Sequence, residues 1–126
     1  MTTHAVTWKA QPEEGDFQAA FDFMTLLFPV PTVRRALERA HRVRATERIA
    51  KDILRASGLP LLPAAESHVA RDLKKIRKRK ALAPIILVRG DLSRGRPLVI
   101  ADGYHRMCAA YHVDEDTVVN SVLVSP

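Results

Sequence analysis

The stretch that decides the fold is a short apolar run that passes into Asp-Gly and then into a helical pattern: Leu98-Val99-Ile100-Ala101-Asp102-Gly103-Tyr104-His105-Arg106. This order predicts a strand, a tight turn and the N-terminus of a helix. A helix N-terminus exposes backbone N–H groups and a partial positive charge, which suit an anion. His105 and Arg106 fall in the first helical turn, where a cation opposes the helix dipole. A phosphate bound between the helix end and these two side chains would remove that conflict.

Upstream of this stretch, the apolar periodicity is helical, and residues 1–57 are predicted to form a helical N-terminal region. The predicted helices cover residues 16–28, a stretch that begins at Thr32, residues 46–57 and a stretch that begins at Ser67. The residues expected as their N-caps are Asp16, Thr32, Thr46 and Ser67. Pro29 and Pro31 are expected to end the first helix, and Gly58 the third.

The pattern changes in residues 58–126, where short apolar runs alternate with turn residues. These runs predict strands over 84–88, 97–101 and 118–124, with a helix over 104–112. We therefore expect an α+β protein in which a helical region and an α/β part share one core. The 126 residues are enough for a single domain, residues 1–126.

Composition excludes several classes of protein. No apolar run approaches the roughly 20 residues of a membrane span, and Met1-Thr2-Thr3-His4 does not resemble a signal peptide. The single cysteine, Cys108, has no partner for an internal disulfide, so the cytoplasm is the expected compartment and no membrane is expected as a partner. No Cys/His spacing in the sequence is typical of zinc sites.

Positive charge is concentrated in the middle of the chain. The net charge is +6, and fifteen of the twenty Lys and Arg residues lie between Arg34 and Lys80, against five acidic residues. The densest cluster is Lys74, Lys75, Arg77, Lys78, Arg79 and Lys80. Such a region is typical of proteins that bind nucleotides, nucleic acids or acidic proteins, and equally of a solvated surface.

Three stretches, in order, resemble the ParB/sulfiredoxin superfamily. They are the helix that begins at Ser67, the strand that follows Pro84, and the strand–turn–helix around Gly103-Tyr104-His105-Arg106. The resemblance covers about residues 58–126. It implies a small mixed sheet with packed helices.

The resemblance also implies a site. In sulfiredoxins the Gly-x-His-Arg turn binds the phosphates of ATP, which implies that Gly103, His105 and Arg106 are phosphate-binding here. The positions that would face the nucleotide on the preceding helix are His68, Arg71 and Lys75, spaced i, i+3 and i+7 on one face. Arg55 matches an upstream phosphate-binding arginine if a gap is allowed.

Tyr104 stands where sulfiredoxins have their catalytic cysteine, so that thiol chemistry is not expected. Tyr104 either stacks on a base or packs against the protein. Cys108, one turn further on, lies in an apolar setting typical of a buried, inert thiol. Asp102 is either a general base or metal ligand beside a phosphate, or the N-cap of the helix.

Three functions remain open from the sequence. The first is a protein that binds a nucleotide or another phosphate ligand, ATP or CTP with Mg²⁺, and that is a phosphotransferase or hydrolase if the ligand is turned over. The second is a nucleic-acid-binding module or nuclease that uses the basic region 34–80. The third is a protein-interaction module without enzymatic activity.

Overall fold

A computed structural model describes residues 6–126 and contains five α-helices and a four-stranded sheet among them. The elements, in chain order, are α1 Glu14–Met24, α2 Val30–Arg42, β1 Thr46–Ile49, α3 Ala50–Ser57, α4 Ser67–Arg77, β2 Ile85–Val88, β3 Val99–Asp102, α5 Tyr104–Val113 and β4 Val118–Val124. The chain is α+β, as predicted. His4 lies outside the described residues.

The strand order in the sheet is β1-β4-β2-β3. The two inner strands, β2 and β4, are parallel, whereas β1 and β3 pair antiparallel with them at the edges. The strand–turn–helix therefore starts from an edge strand, and its turn lies at the border of the sheet.

Helices cover both faces of the sheet. Because successive side chains in a strand point to opposite faces, Ile85 and Leu87 of β2 pack in one buried cluster while Ile86 and Val88 pack in the other. The first cluster includes residues of α3, α4 and α5, and the second includes residues of α1 and α2. This explains why β2 is apolar without alternation: both of its faces are buried.

The predicted helix over 46–57 is wrong in its first four residues. Thr46–Ile49 forms β1, in which Thr46 lies opposite Ser121 and Ile49 opposite Val118 of β4. The helix proper begins at Ala50 and ends, as predicted, before Gly58, which is left-handed at φ 68°. The pairing with β4 joins residues more than 60 positions apart, so no local pattern indicated it.

The predicted N-caps also differ from the structure. Glu13 caps α1, and Asp16 accepts a hydrogen bond from the Glu13 backbone N–H at 2.8 Å as the partner in a capping box. Pro29 precedes α2, which starts two residues before Thr32, and Glu66 caps α4 in place of Ser67. Proline is tolerated in a first helical turn because its missing N–H would be unpaired there.

Candidate functional site

The turn after β3 requires a glycine at position 103, for reasons of backbone conformation and of space. Gly103 has φ 103°, a left-handed conformation, and stands at the N-cap position of α5. A Cβ atom there would lie 2.3 Å from Cγ2 of the buried Ile85. No side chain among the described residues caps α5 at this position, which leaves the first backbone N–H groups of α5 without a side-chain acceptor.

Asp102 is not the N-cap of α5, contrary to one of the two predicted roles. Its Oδ2 instead accepts a hydrogen bond from Arg106 Nη2 at 2.9 Å. Nη1 of Arg106 lies 3.6 Å from Oδ1 of Asp16 on α1, and Nη2 lies 3.5 Å from the Pro84 carbonyl oxygen. The carboxylate of Asp102, the last residue of β3, therefore pairs with Arg106 of α5, and Arg106 also reaches Asp16 of α1.

This Asp16–Arg106–Asp102 triad is mostly buried, with side chains that are 14%, 18% and 17% exposed. Burial raises the pKa of Asp102 to about 6, and the neighbouring Asp16 adds to that rise while Arg106 opposes it. A carboxyl group with such a pKa exchanges protons near neutrality, as a general acid or base must. The guanidinium of Arg106 is occupied by two carboxylates, and it does not point freely towards a ligand at the helix end.

A second group of side chains lies where α4 meets α5. The rings of His68 and His105 lie 4.6 Å apart between centroids, tilted by 36°. Glu66 lies beside both, with Oε2 3.1 Å from His68 Nδ1 and 3.9 Å from His105 Nε2. The structure therefore brings two residues of the implied nucleotide site together and adds a carboxylate that the sequence analysis missed.

Glu66 has a double role in this arrangement. Its Oε1 accepts hydrogen bonds from the backbone N–H groups of His68 and Val69 at 2.8 and 2.9 Å, which caps α4. The His68 side chain, above all, and the Val69 N–H lower the pKa of Glu66 to about 2. Capping preference could have pointed to this residue, but Ser67 is the stronger N-cap type and lies next to it.

Arg71 and Lys75 lie one turn apart on the exposed face of α4 and form no ion pair within residues 6–126. Between them is Asp72, which is buried. Burial raises the pKa of Asp72, and the charges of Lys75, Arg106, His105 and Arg71 act against that rise. Charges on α4 and in the first turn of α5 therefore both act on this one carboxyl group.

Carboxylates outnumber permanent cations in this region. The acidic groups are Glu13, Asp16, Glu66, Asp72 and Asp102, and the permanent cations are Lys9, Arg71, Lys75 and Arg106. Glu13 belongs to the set because Arg106 and Lys75 lower its pKa, although its hydrogen bond with Lys9 lowers it more. These carboxylates would repel a bare polyphosphate. A divalent cation bound to the phosphate would neutralise part of the ligand's negative charge and so reduce that repulsion.

Arg55 lies elsewhere. It is exposed on α3, 3.7 Å from Asp52, and lines a cleft of about 520 Å³ together with Tyr111 of the second half of α5. The structure does not bring Arg55 to the turn that precedes the first half of α5. The gapped match that suggested it therefore has no geometric support.

Tyr104 packs against the protein in this structure. Its hydroxyl donates a hydrogen bond to the Pro60 carbonyl, and its ring packs against the core cluster of α3, α4 and α5. Cys108 is fully buried, and burial raises the pKa of its thiol. An unexposed thiol with a raised pKa is a poor nucleophile.

No protein-family model, curated protein or solved structure matches the chain. Membership of the ParB/sulfiredoxin superfamily therefore stays a prediction from the motifs. Within residues 6–126, every helix is too short or too polar to cross a membrane.

Proposed function

We propose that the protein binds a phosphate-bearing ligand where α4 meets the N-terminus of α5, with ATP or CTP as the first candidates. The observation that carries this proposal is the uncapped first turn of α5, a helix that packs against α4, where the exposed Arg71 and Lys75 form no ion pair within residues 6–126. Backbone N–H groups at a helix end and nearby cations are the two parts from which proteins build phosphate sites.

The residues divide into distinct roles under this proposal. The N–H groups of Tyr104 and His105 bind a terminal phosphate, and Arg71 and Lys75 neutralise its charge. Arg106 acts indirectly, because its ion pairs hold Asp102 and Asp16 in place. Mg²⁺ accompanies the ligand, since five carboxyl groups surround the region. If the ligand is turned over by a phosphotransferase or hydrolase reaction, Asp102 is the candidate general base, because its pKa is about 6.

Isothermal titration with ATP, CTP and ADP, with and without Mg²⁺, tests the proposal. We expect binding that is stronger with Mg²⁺ and that weakens about tenfold or more when Arg71→Ala and Lys75→Ala are combined, since each contact to a charged group contributes about 1.5–3 kcal/mol. The matched control combines Arg77→Ala with Lys80→Ala, which removes the same charge from exposed positions on another face of α4 and beyond its C-terminal end. No heat from the folded protein with any of these nucleotides, or equal effects of the two double variants, would contradict the proposal.

A second candidate function is nucleic-acid binding by the six cations of 74–80. All six side chains are exposed, and none forms an ion pair within the described part of the chain. This function predicts that the affinity for duplex DNA falls steeply with salt. The Arg77→Ala and Lys80→Ala double variant should lower the slope of the logarithm of the binding constant against the logarithm of the salt concentration by about 2. Binding that cannot be measured at low salt rules this function out. The Arg77→Ala and Lys80→Ala double variant should weaken DNA binding and leave nucleotide binding unchanged, so it separates the two candidate functions.

A further inference from the structure

Glu66, His68 and His105 form a cluster whose possible ligand atoms all lie within 4.8 Å of one another. In a tetrahedral zinc site, two ligands at about 2.1 Å from the metal lie roughly 3.4 Å apart. The contacts of Glu66 Oε2 with the two imidazoles, 3.1 and 3.9 Å, bracket that value. Small rotations of the side chains would therefore bring one oxygen and two nitrogens to a common centre.

The carboxylate of this cluster is held in position before any ion binds. Oε1 of Glu66 accepts two backbone hydrogen bonds from α4, and this fixes the carboxylate with Oε2 towards the imidazoles. Hydrogen bonds that orient a ligand in this way are typical of metal sites. The ligands come from the starts of two packed helices, which are rigid supports.

The cluster is open on one side. The side chains of His68 and His105 are 54% and 42% exposed, and that of Glu66 is 27% exposed. Three protein ligands with an open position are the arrangement in which a metal keeps a water or a substrate group. The excess of carboxylates around α4 and α5 also favours a cation here.

We propose that Glu66, His68 and His105 bind one divalent transition-metal ion, with Zn²⁺ as the expected occupant. Two imidazoles and one carboxylate suit Zn²⁺, Co²⁺ and Fe²⁺, whereas Mg²⁺ prefers oxygen ligands and retains its waters. The site is therefore distinct from the Mg²⁺ that accompanies a nucleotide. It does not depend on the proposed phosphate binding, because the three ligands alone define it.

The test uses the whole protein, stripped of metal by a chelator and titrated with Zn²⁺ by calorimetry and with Co²⁺ by visible absorption, without nucleotide. We expect one equivalent to bind and a Co²⁺ spectrum of a four- or five-coordinate ion. His105→Ala and Glu66→Gln should each weaken binding by at least about tenfold. Glu66→Gln retains an oxygen that can cap α4, so this variant separates loss of the ligand from loss of the helix cap.

The matched control is His41→Gln, which removes a histidine on α2 whose ring stacks on Phe17 and bonds Glu14. Its Zn²⁺ affinity should equal that of the unaltered chain. Absence of Zn²⁺ binding at millimolar concentration, or equal binding by the His105→Ala and His41→Gln variants when circular dichroism shows both folded, would overturn the proposal. Zn²⁺ binding without nucleotide binding would support this site and contradict only the proposed function.

Discussion

At the residue scale, Gly103 shows how one position determines where a site lies. Its left-handed backbone allows β3 to turn directly into α5, and its missing side chain allows the turn to approach Ile85. Asp-Gly in the sequence indicated this turn correctly. The roles of the two neighbouring residues could not be read in the same way, because Asp102 and Tyr104 each find a partner on another element.

Gly103→Ala should lower the free energy of unfolding by about 2–4 kcal/mol, which adds the cost of left-handed backbone to that of overpacking. Gly58→Ala is the control, because Gly58 is also left-handed but a Cβ atom there would meet nothing within 4 Å. It should cost about 1–2 kcal/mol, from the backbone alone. Urea denaturation of both variants measures the difference in their free energies of unfolding. Equal losses of stability would show that the contact with Ile85 adds nothing to the cost at position 103.

At the element scale, the Asp16–Arg106–Asp102 triad connects α1, α5 and β3 beside the candidate site. The sequence indicated Arg106 as a residue of interest, but it did not show that the guanidinium would be shared by two carboxylates. Asp16 lies 86 residues before Asp102 in the chain. Its helix, α1, was predicted to begin with Asp16 as the N-cap, whereas it begins at Glu14. The capping box that orients Asp16 is a local feature, whereas its ion pair arises only when α1 packs beside β3.

The triad predicts a distinctive pH dependence of stability. The folded pKa of Asp102, about 6, lies above its ordinary value of 3.8, so the folded state binds more protons between those values. Its contribution to stability is therefore present at low pH and is lost as the pH rises from about 4 to 6. Relative to Asp102→Asn, the unaltered chain should lose on the order of 2 kcal/mol over that interval.

Urea denaturation of both chains between about pH 4 and pH 7 checks this prediction. Glu66, whose pKa is lowered, contributes in the opposite sense and over a lower interval, from its folded pKa of about 2 to its ordinary 4.5. Both chains retain Glu66, so its contribution cancels in the comparison. Parallel stability curves for the two chains would contradict the raised pKa of Asp102.

At the scale of the whole molecule, the sheet separates two buried clusters of helices. β2 lies between β4 and β3, and its four residues alternate between the clusters. The strand itself was predictable from its uninterrupted apolar run. Its parallel pairing with β4 and the position of β1 at the other edge depend on contacts between residues far apart in the chain.

Leu87→Ala should lower the free energy of unfolding by about 2–5 kcal/mol, because it leaves a cavity in the cluster beneath α3, α4 and α5. Leu92→Ala removes the same atoms from a side chain that is 99% exposed, against 2% for Leu87, and should change stability by less than about 0.5 kcal/mol. Thermal and urea unfolding of the pair provide the measurement. A similar loss of stability in both variants would contradict the contribution of Leu87 to the core.

Local chemistry was sufficient for most of the regular structure and for the strand–turn–helix. The stripe of α1, the stop at Gly58, the strands β2 and β4 and the helix α5 follow from periodicity and from residues whose backbone preferences are strong. Tertiary contacts alone paired Thr46–Ile49 with β4, brought Asp16 to Arg106, and brought Glu66 and His68 to His105. The physical reason is that hydrogen bonding between strands, ion pairing and desolvation depend on which residues meet in space, and those partners lie far apart in the chain.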